Sequence, residues 1–144
     1  MTLDLRQLTP DLAVAPQIAP EDMAALKAAG FHTVIDNRPD GEIPPDLRAD
    51  VMAQAAAVAG LVFVVNPVIP GSFTPEMVET QRQALAAAKG KVLAYCASGN
   101  RSTILWELVN AATLPVDDML ATAARAGYNH EPMRPLIAAF AARG

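Results

Sequence analysis

The stretch Lys91-Val92-Leu93-Ala94-Tyr95-Cys96-Ala97-Ser98-Gly99-Asn100-Arg101-Ser102-Thr103-Ile104-Leu105-Trp106-Glu107-Leu108-Val109 decides the reading of this chain. An apolar run leads into Cys96, a small polar loop follows, and a helical pattern takes over from Thr103. That is a strand turning into a helix. A thiol at this junction faces the unpaired backbone N–H groups and positive dipole end of the new helix, with a guanidinium nearby. Those influences favour thiolate, the nucleophilic form. Gly99 permits a curl that points successive N–H groups inward around an anion. Arg101 offers a planar fork of donors to a tetrahedral oxyanion. Cys96 and Arg101 are therefore the candidate catalytic residues. Ala97, Ser98, Gly99, Asn100, Arg101 and Ser102 form the candidate anion-binding loop, with Ser102 expected either to donate to the sulfur or to cap the helix. A lone cysteine is most often an inert core residue. The Ser-Gly-Asn-Arg-Ser that follows sets this one apart.

Outward from the loop, a regular spacing appears. Helix-like, alanine-rich segments end at Gly30, Gly60 and Gly90, and the strand-like runs Phe31–Ile35, Leu61–Val65 and Lys91–Tyr95 follow them. Glycine suits the left-handed residue that closes a helix, and short β-branched or aromatic runs suit buried parallel strands. Thr74-Pro75-Glu76 carries an N-cap, a proline at the first helical position and a first-turn acid. Pro20-Glu21-Asp22 and Pro45-Asp46 give similar starts. Leu3, Leu5, Leu12 and Val14 alternate around Thr9-Pro10-Asp11, which predicts a short edge hairpin. Asp117 and Asp118 open a helix running to Gly127, and Pro132 to Ala142 reads as a last short one. The expectation is a single compact α/β domain over residues 1–144, with a mostly parallel central sheet flanked by helices.

In such a sheet, ligands bind beyond the carboxyl ends of the strands. Asp36 to Glu42, Asn66 to Gly71 and the Cys96 loop lie at those ends. Asp36, Asn37 and Arg38 are thus candidate supporting residues. Arg38 is a candidate second anion contact. Asp36 is a candidate to orient Arg101 or to serve as an unusual acid, against the plainer role of ion pair or turn cap. Glu42 reads as solvated surface, with a place at the pocket mouth as the alternative, His32 as a packed or edge residue, and His130 as part of a loop.

Composition narrows the function classes. Of the 144 residues, 52% are hydrophobic and 18% charged, so the chain has material for a core. No apolar run approaches the ~20 residues that span a bilayer. The net charge is −4 without a basic cluster, which argues against nucleic-acid and anionic-membrane surfaces. One cysteine and no secretory signal fit a reducing cytoplasm. Two histidines far apart and one cysteine give no metal-ligand spacing, so neither metal nor cofactor is expected.

Cys96-x-x-Gly99-x-Arg101 resembles the active-site loop of single-domain rhodaneses, sulfurtransferases that carry a persulfide. The wider chain, Phe31 to Glu42 and Leu61 to Trp106, resembles a bacterial family with a tyrosine-phosphatase-like fold, the β-lactamase-hydrolase-like phosphatase-like domain. That family occurs alone or fused to a persulfide dioxygenase of metallo-β-lactamase type, so the resemblance implies such a dioxygenase as a partner. It also implies a cysteine-phosphatase-like fold.

The chain departs from the phosphatase pattern in two ways. Cysteine phosphatases read His-Cys-x5-Arg, whereas this chain reads Tyr95-Cys96-x4-Arg101. The loop Asn66 to Thr74, where phosphatases carry a general-acid aspartate, contains no acid. Losing a proton donor costs ~10²–10⁴-fold with a poor leaving group. Sulfane-sulfur transfer needs that acid less, because sulfite and thiolates leave as stable anions.

The leading expectation is therefore a sulfurtransferase that forms a persulfide on Cys96 from thiosulfate or glutathione persulfide. A phosphatase acting on a phosphate ester through phosphocysteine is the alternative. A non-catalytic sensor of anions or reactive sulfur is the third reading.

Overall fold

The computed structural model describes residues 3–143. The sheet has five strands: β1 (Arg6–Thr9), β2 (Leu12–Ala15), β3 (Phe31–Asp36), β4 (Val62–Val65) and β5 (Lys91–Tyr95). They lie in the order β1-β2-β5-β3-β4. Only β1 runs antiparallel to its neighbour, so the sheet is mixed and mostly parallel. Six helices cover it: α1 (Met23–Ala28), α2 (Ala49–Ala59), α3 (Pro75–Ala87), α4 (Asn100–Val109), α5 (Val116–Arg125) and α6 (Arg134–Arg143).

Period-two alternation along the strands divides the core between two faces. Ala13, Ala15, Val34, Leu93 and Tyr95 pack with Met23 and Leu26 of α1 and Met52 and Ala56 of α2. Val14, Ile35, Val92 and Ala94 pack on the other face with Val78, Leu105, Trp106, Met119 and Ile137. The expected α/β domain with helices on both faces is present.

Three local expectations need correction. The hairpin forms, but only β1 is at an edge, because β2 pairs in parallel with β5. The carboxyl end of β2 therefore adds Pro16-Gln17 to the active edge. The Leu61–Val65 run is not a buried strand. β4 is the opposite edge, and Val62 and Val65 are 48% and 49% exposed. Gly30 and Gly60 are left-handed as expected, whereas Gly90 is not, and α3 ends instead at an extended Ala88. Thr74 caps α3 as predicted, its hydroxyl accepting from the Met77 N–H at 3.2 Å.

β3 is followed by β4 on one side, and β5 then returns on its other side. The chain direction thus switches between β3 and β5, and a crevice opens beyond their ends at such a point. Asp36 and Tyr95 are register partners there, so Asn37 and Cys96 leave the sheet side by side.

Candidate active site

The Cys96 loop is held from outside by its carbonyls. Ala97 O accepts from the Gln17 N–H at 3.3 Å. Ser98 O accepts from the Tyr128 hydroxyl at 2.8 Å. Gly99 O accepts from both the N–H and hydroxyl of Thr103, at 3.0 and 2.8 Å. The Gly99 N–H turns to the sulfur, donating to Cys96 Sγ at 3.1 Å. The N–H groups of Ala97, Ser98, Arg101 and Ser102 meet no acceptor among the described residues. Converging main-chain donors at a helix N-terminus make an anion site.

Gly99 has φ +89, and a Cβ there would overlap the Tyr128 hydroxyl. The residue is fixed twice, by backbone conformation and by space.

Arg101 is buried, close enough to Cys96 for the sulfur to act on its charge. Glu42 grips it in a bidentate pair, Oε2 to Nη1 at 2.9 Å and Oε1 to Nη2 at 2.8 Å. Nη1 also donates to Val68 O at 2.6 Å. Burial works against the Arg101 charge, but Glu42 and the Cys96 sulfur outweigh it and raise its pKa. The Nε–H and the second Nη2–H meet no oxygen acceptor among the described residues. That free edge is the one that can fork onto an oxyanion. Glu42 thus stands at the mouth of the site, still exposed to solvent but committed to Arg101. Arg101 and then Arg38 hold its carboxyl below the ordinary carboxylate range, so it stays ionised and is no proton donor.

The supporting residues take other roles than those expected. Ser102 does not reach the sulfur; its hydroxyl donates to Asn37 Oδ1 at 2.9 Å. Asn37 is wholly buried and donates to Asn66 O at 2.9 Å and Gln81 Oε1 at 3.0 Å. It ties β3, the β4–α3 loop, α3 and α4 together. Arg38 is no free anion contact, because it donates to Gln17 Oε1 and Glu42 Oε1, both at 3.2 Å. Asp36 does not orient Arg101. Its Oδ1 accepts from the Arg38 N–H at 2.8 Å, the turn cap that was the plainer reading. Burial pushes its carboxyl up to about 6. Its Oδ2 and the Tyr95 hydroxyl are buried without a hydrogen-bond partner among the described residues.

Sequence reasoning missed three residues here, Tyr128, Glu107 and His130, and ranked the pocket-mouth place of Glu42 second. Glu42 meets Arg101 from 59 positions away, and Tyr128 reaches Ser98 from 30. Glu107 and His130 form a buried pair behind α4. The one local signal was an acid inside the apolar run Ile104 to Leu108.

Residues 4–113 match the family profile described as "Beta-lactamase hydrolase-like protein, phosphatase-like domain". A beta-lactamase hydrolase-like protein of Xylella fastidiosa is 34% identical over 97 residues, 67% of this chain and 22% of that protein. The one from Agrobacterium fabrum is 34% identical over 100 residues, 69% of this chain and 23% of that protein. The chain thus spans about a fifth of the length of these curated relatives. Among solved structures, a candidate phosphatase of Neisseria meningitidis superposes with TM-score 0.84 at 32% identity, covering 96% of this chain and 99% of that one. Tk-PTP in its active form gives TM-score 0.72 at 15% identity, covering 99% of both chains. TpbA of Pseudomonas aeruginosa gives 0.68 at 17% identity, covering 99% of this chain and 85% of that one. At those lower identities the likeness is one of fold, the cysteine-phosphatase fold.

Proposed function

This chain belongs to the phosphatase-like domain family of the beta-lactamase hydrolase-like proteins, and from that premise we propose that it is a cysteine-dependent phosphatase. One observation carries the reading. Four loop N–H groups without an acceptor among the described residues, and the open edge of Arg101, belong to the loop that carries a sulfur already accepting a main-chain N–H. That set is suited to the oxygens of a tetrahedral phosphoryl group.

The Cys96 thiolate attacks phosphorus, an S–P bond forms, and the P–O bond to the leaving group breaks. Loop amides and Arg101 hold the non-bridging oxygens, whose charge must be stabilised in the transition state. Water then cleaves the S–P bond, releasing phosphate and restoring the thiolate. Glu42 is ionised and bound to Arg101, and Asn66 to Thr74 holds no acid. The leaving oxygen therefore departs without a side-chain proton. This selects substrates whose leaving group is stable as an anion, such as aryl phosphates over alkyl ones.

The missing acid also favours a second reading, sulfur transfer. Cys96 would attack the outer sulfur of thiosulfate, forming an S–S bond while sulfite leaves with the electron pair of the bond that breaks. A low-molecular-weight persulfide would serve equally, and a persulfide dioxygenase would be the natural companion enzyme. Both activities are measured on one preparation. Aryl phosphate turnover that is lost in Cys96→Ser and blocked by vanadate supports the phosphatase. Thiocyanate from thiosulfate and cyanide, with no phosphate release, replaces it by the second reading.

A further inference from the structure

Behind the anion loop lies a chain of side chains that the proposed reaction does not use. Glu107 sits two helical turns after Asn100 on α4, so both occupy the same face. His130, from the segment after α5, lies along that face. Its Nδ1 is 2.9 and 2.8 Å from the two Glu107 oxygens. Its Nε2 is 2.7 Å from Asn100 Oδ1. Glu107 has no exposed surface and His130 is 4% exposed. Nδ1 thus faces the Glu107 carboxylate and Nε2 faces the Asn100 amide. That amide can answer it through either of its polar atoms.

An apolar pair of similar volume often serves a core as well as or better than a buried polar pair. The contact has a place in the loop instead. Asn100 is the first residue of α4, between the left-handed Gly99 and Arg101. Its own N–H turns to Ser98 Oγ at 3.3 Å. Two residues before His130, Tyr128 grips Ser98 O. Residues 128–130 thus touch the loop at two points on either side of Gly99.

Resting on the phosphatase reading of the loop, we propose that His130, clamped by Glu107, is a positioning residue. It fixes Asn100 so that the first turn of α4 presents the Arg101 and Ser102 N–H groups to the bound oxyanion.

Two substitutions separate positioning from packing. In His130→Asn the amide nitrogen takes the place of Nδ1, so the Glu107 contact is kept and the Asn100 contact is lost. In His130→Gln the amide nitrogen takes the place of Nε2, which does the reverse. Vanadate binding is measured by calorimetry and stability by urea unfolding, for both variants and for Asn100→Ala. His130→Asn should stay close to wild type in stability and bind vanadate about tenfold more weakly, the upper worth of one hydrogen bond. Asn100→Ala should match it, and combining the two should add nothing. His130→Gln should lose stability and keep most of the affinity. Wild-type vanadate affinity in His130→Asn overturns the proposal, as does a loss of affinity in His130→Gln as large as in His130→Asn. A wild-type protein that binds no vanadate sinks the anion-site reading itself, which is a distinct result.

Discussion

Replacing Gly99 by alanine tests the loop at its tightest point. A left-handed backbone costs an L-residue roughly 1–2 kcal/mol, and Gly99 has φ +89. The new methyl would overlap the Tyr128 hydroxyl and lie 3.2 Å from its ring carbon and 3.4 Å from the Ala15 carbonyl carbon. Tyr128 must move, and Ser98 O then loses its donor. That hydrogen bond is worth about 1 kcal/mol net. Together the two effects predict a loss of roughly 2–3 kcal/mol, read as a lower urea midpoint at unchanged slope. Tyr128→Phe alone should lose about 1 kcal/mol by the same count. The double variant should lose less than the sum, because removing the hydroxyl removes the overlap and the hydrogen bond can be lost only once. A Gly99→Ala protein within about 0.5 kcal/mol of wild type, or strict additivity, would refute the reasoning.

Three other outcomes follow from the site. Glu42→Gln should keep the fold and lower kcat/KM for aryl phosphate by less than Arg101→Ala does, because Glu42 orients the guanidinium rather than touching substrate; a lower KM would mean that Glu42 competes with the anion. Removing Arg101 should cost about 10²–10³-fold, the range for one oxyanion donor, and residual activity near wild type would exclude it from the site. Asp36 holds its proton in the folded chain up to about pH 6, against 3.8 for its ordinary value. Its contribution to stability is therefore complete below about pH 4 and declines as the pH rises to about 6, by up to about 3 kcal/mol. Asp36→Asn retains an acceptor for the Arg38 N–H and should flatten that decline, seen as a melting temperature raised more at pH 7 than at pH 4.

The parts of this molecule that were legible in its sequence are those set by neighbours along the chain. Tyr95 to Ser102 carries the strand, the loop glycine and the helix start within eight consecutive residues, so the nucleophile and its arginine could be placed. Thr74-Pro75 announced α3 by the same local logic. Strand order was not legible, because a hydrophobic run reports burial and not which strand lies beside it. Leu61 to Val65 reads as a buried strand and forms an edge. Polar partners from distant segments were equally hidden. Glu42, Gln81 and His130 look like surface or loop residues until the topology brings each to a buried acceptor or donor. Ser102 reads in sequence as a donor to the sulfur or a helix cap, and the structure gives its hydroxyl to Asn37.

The central claim is that Cys96 carries the phosphoryl group. Rapid acid quenching during aryl phosphate turnover, followed by mass spectrometry of the Cys96 peptide, tests it most directly. The expected result is a phosphoryl adduct on that cysteine that forms and decays with turnover and is absent from Cys96→Ser. Turnover that leaves Cys96 unmodified, or that persists in Cys96→Ser, contradicts it.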